Sequence, residues 1–331
     1  MKINKLINSI FSISNGDEFF NLALDIFKFQ AANNLVYKQY IEYLKIDYKK
    51  IDKLSDIPFL PIEFFKTKKV VSSKSDTFDK IFISSGTTGV QQSKHYIVDI
   101  EIYKRSFIKT FEMFYGNPEN YSILALLPSY LEREGSSLVY MVDFLINMSK
   151  KKSGFYLNNL NELIDQLKFN EHNNIKTILF GVTFALLDLS EKYNLKLRNT
   201  IIIETGGMKG RHKEITKDEL YTNLRDSFGD NEIHSEYGMT ELLSQSYSLG
   251  SNIFKTPEFM KIMIRDIYDP FHYLENKQSG GINIIDLSNI YSCSFIETKD
   301  IGRKFENGDF EVLGRFDNSE IRGCNLLVVN N

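Results

Sequence analysis

The sequence predicts an α/β fold: a parallel-rich sheet flanked by helices that passes, towards the C-terminus, into a mixed or antiparallel β subdomain. Three observations carry this expectation. Apolar residues before position 80 recur at helical spacing; from 81 to about 250 short apolar runs alternate with helical patterns; after about 250 short strand-like runs follow with few helices between them.

In chain order, residues 17–48 read as helix, because Phe19, Phe20, Ala23, Ile26, Phe27, Tyr37, Tyr40, Ile41 and Leu44 fall three and four apart. In "SDIPFLPIEFFKTKKVV", Pro58 and Pro61 exclude a helix interior and favour an extended path. Strands are predicted at 81–84, 121–127, 177–181, 199–204 and 232–234, and helices at 101–115, 136–149, 159–169, 183–193 and 214–228. The runs "GGINIIDL", "CSFIET" and "DFEVLGRF" supply the late strands. No linker or repeat interrupts the chain, so residues 1–331 read as one domain in three parts. These are a helical part (1–80), an α/β nucleotide-binding core (81–250) and a β-rich part with a C-terminal tail (251–331).

Composition removes several function classes. The 331 residues carry a formal net charge of −3, so no basic field points to nucleic acid. Two cysteines, Cys293 and Cys324, stand far apart, which argues against a disulfide scaffold or a cysteine-rich zinc site and fits a reducing cytoplasm. The N-terminus lacks a continuous apolar stretch with a small-residue cleavage site, and no apolar run approaches the ~18 residues of a membrane span.

The stretch "KIFISSGTTGVQQSKHYIV" (80–98) ends an apolar run in Ser84-Ser85-Gly86-Thr87-Thr88-Gly89, with Lys94 following. Small and hydroxyl residues after a strand let backbone N–H groups converge on an anion. The spacing is not that of a Walker loop, and by itself the segment reads equally as a capped turn. Downstream come "ETGGMKGR" (204–211), "SEYGMTELLSQSYS" (235–248), "ETKDIGR" (297–303) and "VLGRFDNSEIRGC" (312–324). Singly, each has an ordinary structural reading. Tyr237 reads as a core aromatic, Glu241 as a helix cap, Asp300 as a turn residue, Arg315 as a surface charge and the glycine pair as a chain reversal.

Together and in this order, the motifs resemble those of the adenylate-forming enzymes, the superfamily of acyl-CoA synthetases, phenylacetate-CoA ligases and luciferases. With "IPFLPIEFFKTKKVV" and "LPSYLEREGSSLVYM" added, nearly the whole chain is similar to the acyl-protein synthetase (LuxE) family. The resemblance implies the large-domain fold of that superfamily and an AMP-forming ligase that uses ATP and Mg²⁺ to convert a carboxylic acid, of the fatty acid type, to an acyl-adenylate. Transfer to a thiol would follow. Ser84, Ser85, Gly86, Thr87, Thr88 and Gly89 would embrace the phosphates, helped by Lys94. Gly206 and Gly207 would let the backbone approach adenine, and Tyr237, followed by Gly238, would stack on it. Thr240 and Glu241 would hold phosphate and Mg²⁺, Asp300 the ribose hydroxyls, and Arg315 ribose or phosphate. Cys324 would accept the acyl group as a thioester and pass it to a partner such as a reductase subunit; Cys293 reads as structural. The superfamily's usual C-terminal lid domain and its lysine are expected to be absent, since no lysine follows Lys304. Two other readings stay open: transfer to coenzyme A or an acyl carrier protein, and a non-catalytic nucleotide-binding subunit.

Overall fold

The computed structural model describes residues 3–73, 76–85, 91–128, 135–206, 216–229 and 232–316. Its helices are α1 (Ile3–Ile10), α2 (Gly16–Asn33), α3 (Leu35–Tyr43), α4 (Phe64–Thr67), α5 (Ile100–Tyr115), α6 (Ser137–Met148), α7 (Leu160–His172), α8 (Thr183–Lys192) and α9 (Lys217–Phe228). The strands begin with β1 (Leu60–Pro61), β2 (Lys80–Ile83), β3 (Lys94–Ile97), β4 (Ser122–Leu126), β5 (Gly154–Phe155), β6 (Thr177–Gly181) and β7 (Thr200–Glu204). They continue with β8 (Ile233–Tyr237), β9 (Ser246–Ser248), β10 (Ile253–Lys255), β11 (Met260–Arg265), β12 (Ser279–Asp286), β13 (Phe295–Lys304) and β14 (Phe310–Arg315).

The fold is α/β, with helices flanking one large mixed sheet. Its strands run in the order β11-β12-β13-β14-β10-β9-β8-β7-β6-β4-β5, with β1 beside β13. From β5 to β8 all pairings are parallel; from β8 through β9 to β11 they are antiparallel. The late β-rich part therefore continues the sheet of the α/β core.

Alternation along the parallel strands divides the core. Ile123, Ala125, Ile178, Phe180 and Ile203 pack on the face covered by α5 and α6, beside Tyr103, Phe107 and Val142. Leu124, Leu126, Leu179, Ile202 and Ile233 pack on the other, against Leu163, Leu186 and Leu224 of α7, α8 and α9. Both faces are buried, which is why these strands read as unbroken apolar runs.

Two expectations about elements are corrected. The helix expected over 17–48 breaks at Asn34, whose Oδ1 caps the Tyr37 N–H at 3.1 Å while its Nδ2 donates to Ser292 O at 2.9 Å. A buried amide that serves both the helix and the loop leading into β13 fixes a corner, although the apolar period runs on across it. The run at 81–84 does not join the parallel sheet. It forms β2, which pairs antiparallel with β3 in a separate two-stranded sheet. Ser84 N–H donates to Ser93 O at 3.0 Å and Ser93 N–H to Ser84 Oγ at 2.9 Å, which carries the β2–β3 pairing one step past the strands.

Candidate active site

A cavity of about 840 Å³ opens where β6, β7 and β8 end, lined by the residues that follow them: Val182, Thr205, Gly206 and Gly238–Glu241. Strand order reverses at β4, with β5 on one side and β6 on the other. Crevices outside the carboxyl ends of strands near such a reversal are the usual ligand site of open α/β sheets.

The described residues that end β2 and precede β3 form one wall. Ser84, Ser85 and Ser93 line the cavity, whereas Gly86, Thr87, Thr88 and Gly89 lie outside the described residues. Lys94 is exposed and is not part of the lining, because β3 alternates and turns Ser93 and His95 inward instead. Among the described residues, the cations at the cavity are Lys66, Lys299 and Arg315.

Thr240 and Glu241 meet this wall. His95, fully buried, donates from Nδ1 to Thr240 O at 2.9 Å; burial pushes its pKa down to about 4, so the ring is a neutral clamp. Glu241 is only 6% exposed. Burial raises its pKa, and a hydrogen bond from Ser93 with the charges of Arg315 and Lys66 counters that rise.

The loop after β7 is shaped by Glu204, which the sequence reading passed over. Its Oε1 accepts the Gly206 N–H at 2.7 Å and the Thr183 hydroxyl, and its Oε2 accepts Lys217 Nζ and, at 3.0 Å, Ser235 Oγ. Burial would raise its pKa, but Lys217, Thr183 and Ser235 outweigh it and hold the carboxylate below its ordinary range. Gly206 sits at φ +70, with open space where a side chain would be, so the backbone is bared to the cavity. Gly207 lies outside the described residues.

On the far wall Asp300 and Arg315 are cross-strand partners, with Arg315 Nε 3.8 Å from Asp300 Oδ1. The Tyr237 hydroxyl donates to Asp300 Oδ2 at 2.7 Å. Its ring packs between Phe254 and Phe310 and is not part of the lining. Tyr237 thus orients Asp300 and offers the cavity no ring face. Burial raises the Asp300 pKa, with Tyr237 and Arg315 opposing. Cys324 lies outside the described residues. Cys293 is fully buried, and burial pushes its thiol up to about 12, which suits a structural role.

Besides Lys66 and Lys299, the lining residues Tyr103, Glu236 and Gln245 were missed. Tyr103 donates its hydroxyl to Ser137 O at 3.0 Å, while Glu236 and Gln245 flank the "YGMTE" motif. Period-two alternation along β8 carried a usable signal, since it sets Glu236 and Gly238 on the face opposite Tyr237.

The cavity gathers the described parts of all five motifs. A family model described as "Acyl-protein synthetase, LuxE" matches residues 9–331. The chain belongs to the LuxE acyl-protein synthetase family. No curated protein matches the sequence significantly. Among solved structures, an open conformation of 2-hydroxyisobutyryl-CoA ligase in complex with 2-HIB-AMP and CoA is similar with a TM-score of 0.67 at 10% identity. That match covers 91% of this chain and 70% of the other. ATP-bound MatB from Rhodopseudomonas palustris gives a TM-score of 0.55 at 15% identity, over 74% of this chain and 49% of MatB. The chain thus spans about half the length of the MatB structures it matches, and at these identities the likeness is one of fold.

Proposed function

We propose that this LuxE family member activates a carboxylic acid with ATP, forming an acyl-adenylate and pyrophosphate, and then moves the acyl group to a thiol, that of Cys324. The observation that carries the reading is the convergence of Ser84, Gly206, Thr240, Glu241, Asp300 and Arg315 on one cavity. In the first step a carboxylate oxygen bonds to the α-phosphorus and the bond to pyrophosphate breaks; no proton moves. Negative charge gathers on phosphoryl oxygens, where Lys66, Lys299 and Arg315 and the serine hydroxyls stand. In the second, the Cys324 thiolate bonds to the acyl carbon and AMP leaves, keeping the acyl group activated as a thioester.

Gly206 presents bare backbone to the base, and Asp300 Oδ1 faces the ribose while Tyr237 holds Oδ2. Glu241 and Thr240 suit Mg²⁺, a hard ion commonly held by one or two carboxylates plus phosphate oxygens and water. A buried carboxylate whose charge is only partly compensated fits such an ion, which supplies charge neutralisation at the phosphates when bound. The reading extends to a fatty acid as the substrate, a reductase subunit or acyl carrier protein as the recipient and the cytoplasm as the setting, in keeping with the family resemblance. Among the described residues no helix is long and apolar enough to cross a membrane.

Carboxylate-dependent exchange of labelled pyrophosphate into ATP tests the first step. With labelled acid, Cys324→Ser is expected to abolish acyl transfer to the protein and to leave exchange within about twofold. Undiminished labelling of that variant, or transfer only to added coenzyme A or a carrier thiol, would move the acceptor elsewhere. Nucleotide binding without exchange would mark a binding subunit.

A further inference from the structure

We propose that the acid accepted here carries a hydrogen-bonding substituent, a hydroxyl or an amine, seated between Glu236 and Gln245. The inference rests on the cavity being the site of acyl activation. Beyond the nucleotide-facing wall, the cavity is lined by Tyr103, Leu138, Met141, Val182, Phe184 and Met239, an environment suited to a carbon chain. Two polar side chains interrupt it. Gln245 is only 4% exposed, and its Oε1 is buried with no hydrogen-bond partner. Glu236 lines the same space, and among the described residues its side chain makes no hydrogen bond or ion pair. The two are neighbours: a β-carbon on Gly238 would collide with Glu236 Oε1 and touch Gln245 Cγ at 3.5 Å.

An unsubstituted alkyl chain would seal the half-buried Glu236 away from water without replacing the lost hydrogen bonds, and would leave Gln245 Oε1 as unpartnered as before. Burial, reinforced by the charge of Glu204, raises the Glu236 pKa to about 8, so near neutrality the carboxyl keeps its proton. A substrate hydroxyl then accepts from Glu236 and donates to Gln245 Oε1. An amine instead takes that proton from Glu236, and the ammonium formed donates to the Glu236 carboxylate and to Gln245 Oε1. Both substituents meet one requirement: a donor for an acceptor that otherwise has none.

The test is pyrophosphate exchange by the whole chain with hexanoate and dodecanoate, each bare or bearing a hydroxyl or an amino group at carbon 2, 3 or 4. One substituted acid is expected to exceed its bare parent at least about a hundredfold in kcat/KM. In the Glu236→Leu/Gln245→Leu double variant that ratio should fall below about tenfold. Glu236→Gln distinguishes the sources: preference for a hydroxyl survives it, preference for an amine drops at least tenfold, and either pattern supports the inference. Wild-type exchange that is equal or faster with the bare acids overturns it and leaves the ligase reading intact. Exchange with none of the acids overturns the ligase reading, and the inference with it.

Discussion

Glu236 and Glu241 stand on either side of Gly238–Thr240 and line one cavity, yet they are held in opposite ways. Glu241 has the Ser93 hydroxyl and the fields of Arg315 and Lys66 against its burial. Glu236 has none of these and feels the charge of Glu204 besides. A carboxylate given partial compensation is suited to remain charged and meet a cation; one left without it is suited to stay protonated. The same residue type thus serves a charged end and a neutral end of one site, and the environment decides which.

The largest expected effect comes from breaking the charged end. Glu241→Gln keeps the shape and removes the charge. Pyrophosphate exchange should fall on the order of a hundredfold or more, with the Mg²⁺ dependence shifted to higher concentration. Loss below tenfold with an unchanged Mg²⁺ optimum would remove Glu241 from the metal site.

The neutral end is read by stability. The folded pKa of Glu236 lies above its unfolded value, so between about 4.5 and 8 the folded state holds a proton that the unfolded state lacks. Stability from this group is full below the unfolded pKa and declines as pH rises towards 8, by at most about 1.4 kcal/mol per pH unit. Glu241 and Asp300, also raised by burial, add to the slope, so the difference between wild type and variant isolates Glu236; Tyr103, Tyr115 and Tyr247 are pushed further above their ordinary range by burial, and Glu204 is held below its own. Glu236→Gln should flatten the dependence of the thermal midpoint on pH over that window and stabilise the protein most at pH 8. Parallel wild-type and variant curves would show that Glu236 is already ionised in the folded protein.

Tyr237→Phe gives the smallest change and sharpens the contrast between a residue that meets the ligand and one that orients another. Losing the 2.7 Å bond to Asp300 should raise KM for ATP about three- to tenfold, with kcat nearly unchanged, in line with about 1 kcal/mol for one hydrogen bond. A comparable loss in the binding of AMP and of pyrophosphate would point to a general packing defect, since the contact proposed for Asp300 is with the ribose alone.

Much of this was legible in the chain. Alternation of runs gave the parallel strands β4, β6, β7 and β8 and their helices, because a strand buried on both faces must be apolar throughout. Motif order brought Ser84, Gly206, Glu241 and Asp300 into one reading before any cavity was visible. Lys94 and Tyr237 show where that reading thins: a motif names a residue, but the alternation of its strand decides which way it points. Lys94 follows Ser93 on β3 and faces outward, and Tyr237 follows Glu236 on β8 and faces away from the cavity.

The sequence by itself determined the class of fold, the family and the residue types that its motifs bring together, since these are written in local periodicity and short ordered motifs. Only the tertiary structure decided that β2 pairs with β3, that the late strands extend the central sheet, and that Glu236 and Gln245 meet at one cavity. Strand pairing and the desolvation of a carboxyl depend on partners distant in the chain, and no local pattern encodes the distance between them.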